Sequence, residues 1–244
     1  DGDINEDNAA EIFFEIANAD TVEYQCNNGT KLSVKQDRDV QNCTGGIVWE
    51  TAFLLGKFFE LGMPKSLDTG NAGCYKRGNR LLEVGAGCGL LGLILARLGY
   101  QVLLTEAVEA LPNLVANVDA NQDGETKACA NKLDWLDVGD VAEARKWGRP
   151  EDGCFDVIVG TDVVFAERLV DPLLDVLHSL SHEKTAVWLC MQVRCPTAHE
   201  ALLDRARARF DVAELTGSLR SLPGLGAAAA SLECLVYRLR RLPA

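Results

Sequence analysis

LLEVGAGCGLLGLILARLGYQVLLTE, residues 81–106, contains an apolar strand, a glycine-rich turn, a helix, a second strand and a terminal acid in that order. The first apolar run ends at Val84, and three glycines follow where a strand must turn sharply into a helix. Leucines then recur at helical spacing until Gly99, after which residues 102–104 form another buried strand. This order predicts one half of a nucleoside-binding α/β fold.

Glu106 ends the second strand, 21 positions after Gly85. An acidic side chain about 20 residues after the first glycine lies where the two hydroxyls of a ribose bind. The stretch therefore predicts a nucleoside cofactor. A glycine turn without any ligand is the alternative, and Glu106 makes that alternative the weaker one.

The glycines fit two cofactor patterns. Gly87, Gly89 and Gly92 satisfy the GxGxxG spacing of dinucleotide-binding proteins, which would indicate an NAD(P)-dependent oxidoreductase. In that pattern the first glycine directly follows the strand. The glycine that follows the strand here is Gly85, and counting GxGxxG from it puts Leu90 where the third glycine should be. The other phase, EVGAGCG at residues 83–89, fits without a gap. It resembles motif one of the seven-strand S-adenosylmethionine-dependent methyltransferases.

Composition limits the class of protein. A chain of 244 residues with 48% hydrophobic content can bury one substantial core. The net charge of −12 opposes binding to nucleic acid, and no apolar run reaches the roughly 18 residues of a membrane span. The nine cysteines lack a CxxC pair and the three histidines lack partners at zinc-ligand spacing, so we expect free thiols and no metal. We predict a cytoplasmic monomer, with a nuclear location open; because the chain begins at Asp1, a removed targeting peptide also stays open.

The rest of the chain alternates strand and helix signals. Residues 1–43 read as an acidic start followed by a hairpin around Asn27-Asn28-Gly29, with strands at 21–25 and 31–34. A helix is predicted behind Gly46, and residues 64–79 form a connector. Further strands are predicted at 126–133, 155–160, 185–191, 211–215 and 232–239. Further helices are predicted to begin near Leu111 and at residues 198–210. Another helix is predicted to begin with Asp171 as its N-cap and Pro172 as its first helical residue.

Together these segments resemble the seven-strand protein-lysine methyltransferases of the methyltransferase-like group, or methyltransferase family sixteen, over about residues 10–240. The likeness is carried by TGGIVWETAFLLGKFFE at 44–60, the stretch at 81–106, Asn113, Asn117 and Asn121, LDW at 133–135, and DVIVGTDVVF at 156–165. It implies a single Rossmann-like class I domain over residues 44–244, preceded by the acidic hairpin extension at 1–43. The expected sheet has seven strands, mostly parallel, with helices on both faces. The expected cofactor is S-adenosyl-L-methionine, and the expected partner is a protein with an accessible lysine.

The resemblance also implies roles for individual residues. Trp49 would pack near the methionine part of the cofactor, Trp135 beside the adenine, and Glu106 against the ribose. Both tryptophans could instead simply fill the core. The full predicted cofactor-binding set is Trp49, Glu83, Gly85, Ala86, Gly87, Gly89, Glu106, Trp135 and Thr161.

Asp162 and Phe165 are the predicted catalytic residues. Asp162 is the first residue of the family's D-x-x-Y pattern and would position the acceptor nitrogen, although an aspartate after a strand is also a common helix cap. The pattern's tyrosine is Phe165 here, which keeps an aromatic wall and removes a hydroxyl. That departure leaves open a binding module that has lost its chemistry. Small molecules, histidine and arginine stay open as acceptors beside lysine.

Overall fold

The structure is a computed structural model that describes residues 9–40, 44–61, 78–124, 126–221 and 224–243. Its strands are β1 (Thr21–Gln25), β2 (Lys31–Lys35), β3 (Arg80–Val84), β4 (Gln101–Glu106), β5 (Lys127–Lys132), β6 (Val157–Thr161), β7 (Ala186–Met191), β8 (Phe210–Glu214) and β9 (Leu235–Arg241). Its helices are α1 (Ala9–Asn18), α2 (Glu50–Glu60), α3 (Leu90–Arg97), α4 (Leu111–Ala120), α5 (Val138–Arg145), α6 (Val170–Ser179), α7 (Pro196–Ala206), α8 (Thr216–Arg220) and α9 (Gly226–Ser231), with a short 3-10 helix at Glu167–Leu169.

Seven of these strands form one sheet in the order β5-β4-β3-β6-β7-β9-β8. The strands from β5 to β7 are parallel to their neighbours, whereas β9 is antiparallel to β7 and β8. The chain moves outward from β3 to β4 and β5 and then returns to the other side of β3 for β6. Ligands of such sheets bind beyond the carboxyl ends of the strands at this reversal point. The predicted fold class is confirmed, and the reversal lies between β3 and β6.

Helices cover both faces of the sheet. Alternate residues of a strand point to opposite faces, so Leu81 packs into one apolar layer and its neighbour Leu82 into the other, and Trp188 and Leu189 are divided in the same way. The first layer contains residues of α1, α2, α3, α4, α8 and α9, and the second contains residues of α5, α6 and α7. Both faces are therefore buried, as expected for parallel strands.

The predicted N-terminal hairpin is present and docks on α4. β1 and β2 pair antiparallel, and their inward side chains join the first apolar layer. The outer edge of β2 is bonded by side chains: the Asn117 amide exchanges two hydrogen bonds of 2.9 Å with the backbone of Lys35. The Asn121 amide bonds the backbone of Ser33 in the same way, at 3.0 and 2.8 Å. The domain boundary at 43/44 stays a prediction, since residues 41–43 lie outside the described part.

Several predicted elements need correction. Helix α1 lies within the stretch that was expected to be irregular, because Phe13 and Ile16 bury on one of its faces. The prediction of Asp171 as an N-cap is wrong: the N-cap of α6 is Leu169, the last residue of the 3-10 helix, so Asp171 falls in the first turn. Helices α5, α8 and α9 were not predicted, and residues 64–77 of the predicted connector lie outside the described residues. Among the described helices, none combines the length and apolar composition that crossing a membrane requires.

Candidate active site

A cavity of about 780 Å³ opens at the carboxyl ends of the central strands. Its walls come from the turns after β3, β4, β5 and β6 and from the segment that precedes α2. This volume lies within the range of ordinary small-molecule sites, about 300–1,000 Å³. The reversal of strand order therefore coincides with a cavity large enough for a nucleoside cofactor.

The glycine turn forms the floor of the cavity, and two of its glycines are required by geometry. Gly85 has φ +61°, and a Cβ at this position would lie 2.8 Å from Cγ1 of Val163. Gly87 has φ +55°, and its Cβ would lie 3.3 Å from the carbonyl oxygen of Gly45. Since L side chains rarely adopt such φ values, glycine is needed at both positions. The bare backbone of this turn is then open to a ligand.

Glu106 lines the cavity and is fixed by two backbone N–H groups. Its Oε2 accepts a hydrogen bond from Gly87 N–H at 2.7 Å, and its Oε1 accepts one from Ala107 N–H at 2.8 Å. Burial raises the pKa of this carboxyl, and the two N–H donors act in the opposite direction. A carboxylate oxygen has about two lone-pair sites, so each oxygen keeps a site for a ribose hydroxyl. Glu106 thus lies on the cavity wall, and its role in binding the ribose stays a prediction.

The predicted aromatic and polar walls of the cavity are also present. Trp49, Trp135 and Thr161 all line it, together with Ala86 and Gly89 of the turn. Both tryptophans are half-buried at the cavity, so neither merely fills the core. The indole N–H of Trp49 donates to the carbonyl of Thr44 at 3.2 Å, which orients the ring just before α2 begins.

Glu83 is the predicted cofactor residue that the structure places elsewhere. It belongs to the central strand β3, is 1% exposed, and is absent from the cavity wall. Its carboxyl lies under the turn against α3, where a Cβ on Gly92 would come within 2.3 Å of Oε2. Burial raises its pKa to about 8, so the carboxyl is mostly neutral at pH 7. The prediction that Glu83 itself contacts the cofactor is corrected: it supports the turn from below.

Asp162 lines the cavity in a backbone conformation that few residues adopt. Its φ is 51°, in the left-handed region that aspartate and asparagine tolerate best. Its Oδ2 accepts a hydrogen bond from the Thr51 hydroxyl at 2.9 Å, and its Oδ1 accepts one from Gln192 N–H at 2.9 Å. The residue caps neither the 3-10 helix nor α6, so the helix-cap interpretation is wrong. Two hydrogen bonds therefore hold the carboxylate at the cavity wall, on a backbone with an uncommon φ.

Phe165 also lines the cavity, at its rim, with 44% of its surface exposed. The structure thus brings both predicted catalytic residues and eight of the nine predicted cofactor residues to one cavity. Sequence reasoning missed Thr51 and Gln192, which hold Asp162, and Arg194, whose guanidinium lies 3.6 Å from Asp162 Oδ2. Gln192 and Arg194 follow β7 directly, and their place at the carboxyl end of a parallel strand was the available signal.

Metal and disulfide chemistry have no visible support in the described part of the chain. No group of three or more histidine, cysteine, aspartate or glutamate residues there is arranged to hold a metal ion. The seven described cysteines are free thiols, five of them buried.

Comparison with known proteins identifies the family. The family model described as lysine methyltransferase matches residues 26–207. Protein N-lysine methyltransferase METTL21A from Danio rerio is 34% identical over 69% of this chain and 70% of its own length. The METTL21A protein of Mus musculus is 32% identical over 67% of each. EEF1A lysine methyltransferase 3 from Xenopus tropicalis is 27% identical over 68% of this chain and 66% of its own length.

Solved structures agree in fold. The T. thermophilus 16S rRNA N2 G1207 methyltransferase RsmC, solved in complex with AdoMet and guanosine, has a TM-score of 0.54 at 19% identity, covering 91% of this chain and 50% of that one. The CcbJ methyltransferase of Streptomyces caelestis has a TM-score of 0.54 at 12% identity, covering 85% and 97%. The family match supports S-adenosyl-L-methionine as the cofactor, and the NAD(P) alternative loses its support. The chain belongs to the lysine methyltransferase family and is an S-adenosyl-L-methionine-dependent methyltransferase.

Proposed function

We propose that the protein methylates the side-chain nitrogen of a lysine in a protein substrate, in the cavity between the glycine turn and Asp162. The observation that carries this proposal is that two carboxylates, Glu106 and Asp162, lie on the walls of one cavity. The names of the relatives support a protein lysine as the acceptor. The cofactor supplies an activated methyl group on its sulfonium sulfur.

Cofactor binding is assigned to the glycine turn and to four side chains. The backbone of residues 85–87 approaches the cofactor closely, since Gly85 and Gly87 have no side chain. Glu106 accepts hydrogen bonds from the ribose, each contributing about 1.5–3 kcal/mol because the acceptor is charged. Trp135 forms one wall of the adenine pocket, and Trp49 packs near the methionine part. Thr161 and Gly89 complete the lining.

On the acceptor side the protein must align the reactants and exclude water. A lysine with a pKa near 10.4 is neutral in only about one molecule in a few thousand at pH 7. The aromatic wall of Trp49 and Phe165 removes water from the ammonium and lowers its pKa, whereas the carboxylate of Asp162 raises it. Asp162 therefore acts by positioning the nitrogen. Thr51 and Gln192 fix the carboxylate in advance, so it costs little reorganisation when the substrate binds.

Phe165 defines the rim of this acceptor site. Its ring is partly exposed and carries no hydroxyl, so it offers an apolar surface to the methylene stem of a lysine. An enzyme of this kind binds the stem by contact area and the nitrogen by charge. The departure from tyrosine thus fits an active enzyme in which the aromatic ring forms a wall.

Some finer expectations belong to the same proposal. Free thiols at all seven described cysteines support a reducing compartment, for which we propose the cytoplasm, with the nucleus as the alternative. The net charge of −12 favours a basic protein over nucleic acid as the partner. We also propose that the protein is a monomer, and size-exclusion chromatography with light scattering measures its oligomeric state directly.

The test is methyl transfer from tritiated S-adenosylmethionine to lysate of the source cells, followed by mass spectrometry of the methylated peptides. We expect methylated lysines with the wild-type protein and roughly 10²-fold less methyl transfer, or a larger loss, with Asp162→Asn, since one organised polar contact is lost from the transition state. Tight binding of S-adenosylhomocysteine without any transfer would instead support the binding-module alternative. Label confined to histidine, arginine or small molecules would contradict lysine as the acceptor.

A further inference from the structure

Arg194 occupies an unusual place beside the acceptor side of the cavity. It follows β7, and its guanidinium carbon lies 4.4 Å from the centre of the Trp49 ring. The same guanidinium lies 3.6 Å from Oδ2 of Asp162 and 3.8 Å from Oε2 of Glu50. One aromatic face and two carboxylates thus surround a single cation.

The fit of Arg194 to these groups is loose. Neither carboxylate lies within hydrogen-bonding distance, and the hydrogen bond of this guanidinium nitrogen goes to the side-chain oxygen of Gln192 in its own loop. Oε2 of Glu50 is shielded from solvent and has no hydrogen-bond partner among the described residues. A shielded carboxylate oxygen without a donor is costly, because its lost hydration is not replaced. The three groups are therefore arranged for a cation that Arg194 does not match.

We propose that Trp49, Glu50 and Asp162 form the binding site for the ammonium group of the acceptor lysine, and that Arg194 occupies this site until the substrate displaces it. The inference rests on the proposed lysine methylation. A lysine ammonium is compact and has three rotatable donors, so it can approach both carboxylates where the planar guanidinium does not. Trp49 and Asp162 also line the cofactor cavity, which places the bound nitrogen next to the reacting methyl group.

Two consequences follow for the reaction. The site binds the charged lysine, which predominates at neutral pH, and the proton passes to solvent before the nitrogen forms its new bond to carbon. Overall, the ammonium and the sulfonium cofactor yield methylated ammonium, S-adenosylhomocysteine and one proton. Arg194 competes with every substrate for the same groups, so an acceptor must bind these groups strongly enough to displace it. Side chains without a positive charge do not displace it.

The first experiment measures binding of a minimal probe, Nα-acetyl-lysine methylamide, by tryptophan fluorescence at saturating S-adenosylhomocysteine. Arg194→Ala should lower the dissociation constant of the probe by about fivefold or more, the scale of one ion pair with a cation–π contact. Glu50→Gln should raise it by a similar factor. Arg207→Ala, which removes an exposed arginine paired with Asp204, is the matched control and should leave the dissociation constant unchanged. The neutral analogue acetylated at Nε should bind to none of the variants.

An unchanged affinity of the probe for Arg194→Ala would overturn the inference, because it would show that Arg194 does not compete with the lysine. A weaker affinity would also overturn it, because it would show that Arg194 positions Trp49 and Asp162 for binding. Arg194→Gln serves as a second variant, and the thermal midpoint of each variant separates lost binding from lost folding. Lysate methylation distinguishes the two proposals. If lysines are methylated but the probe binds equally to all variants, only the cation site is wrong. If the probe responds as expected and no lysine is methylated, the three groups bind a cation that Arg194 excludes, but lysine methylation, and with it the role of these groups in binding an acceptor, is wrong.

Discussion

Replacing Glu83 by glutamine is expected to stabilise the protein at pH 8 and to change little at pH 5. Glu83 lies in the central strand β3, is 1% exposed, and has no solvent to support its charge. Burial is the main cause that raises its pKa, from 4.5 to about 8, and the negative charge of Glu106 adds to the shift. Hydrogen bonding with the backbone of Gly92 opposes it without offsetting it.

The direction in which stability changes with pH follows from proton binding by the folded and the unfolded protein. Between pH 4.5 and about 8 the folded protein keeps the proton of Glu83, whereas the unfolded chain releases it. The free energy of unfolding therefore falls as pH rises through this window, by about 1.4 kcal/mol per pH unit, and levels off above the folded pKa. A glutamine does not titrate. We expect the Glu83→Gln variant to exceed the wild type by roughly 4 kcal/mol at pH 8.

Urea unfolding at pH 5, 6.5 and 8, with the slope in urea checked for equality between variants, measures this difference. Glu200→Gln, at an exposed position of α7, is the control, and its free energy of unfolding should change with pH as that of the wild type does. If Glu83→Gln and the wild type keep a constant difference across the three pH values, Glu83 is ionised in the folded protein and the reasoning is refuted.

The other predictions concern the cofactor and acceptor sites. Glu106→Ala should weaken S-adenosylhomocysteine binding at least tenfold, with little change in the thermal midpoint of the cofactor-free protein. Because the pKa of Glu106 is raised, the affinity of the wild type should decline on acidification at a pH where an ordinary glutamate is still charged. Calorimetry across pH checks both, and unchanged affinity in the variant would remove the ribose assignment. Gly85→Ala should also weaken cofactor binding, because its Cβ would meet Val163 at 2.8 Å, and full affinity would show that the turn adjusts. Trp135→Phe should lose most of the fluorescence change that S-adenosylhomocysteine causes, and a surviving signal would place the adenine elsewhere. Phe165→Tyr should leave cofactor affinity unchanged and lower turnover on the natural substrate if the apolar rim is an adaptation; higher turnover would mark the natural chain as a weakened lysine methyltransferase.

The cofactor side could be predicted from sequence because its determinants are local. Gly85, Gly87 and Glu106 fall in one strand-turn-helix-strand unit, in which backbone geometry fixes where each residue lies. The phase of the glycine pattern and the spacing from Gly85 to Glu106 were enough to predict that these residues lie at one site. The burial of Glu83 was not readable in the same way, because it depends on how closely α3 packs, and that distance is set by the absence of a side chain on Gly92.

The acceptor side was less predictable because it is assembled from distant segments. Asp162 was identified from its motif, but Thr51 is 111 positions away from it, and Arg194 contacts residues on two other elements. The sequence carries no spacing rule for such contacts. Helix α1 was missed for a related reason: its acidic surroundings favour an irregular segment, and only the tertiary burial of Phe13 and Ile16 reverses that preference.

The asparagine contacts between α4 and the hairpin also bear on the synthesis of the protein. Ser33 and Lys35 bond side chains that are made 88 and 82 positions later, so the outer edge of β2 has no partner when it leaves the ribosome. At about 5–20 residues per second, the delay is on the order of 5–20 s. An unpaired strand edge is prone to join another chain, and lysines on it discourage such pairing. Lys31 and Lys35 begin and end β2, so the strand carries its own protection against aggregation during the interval before α4 arrives.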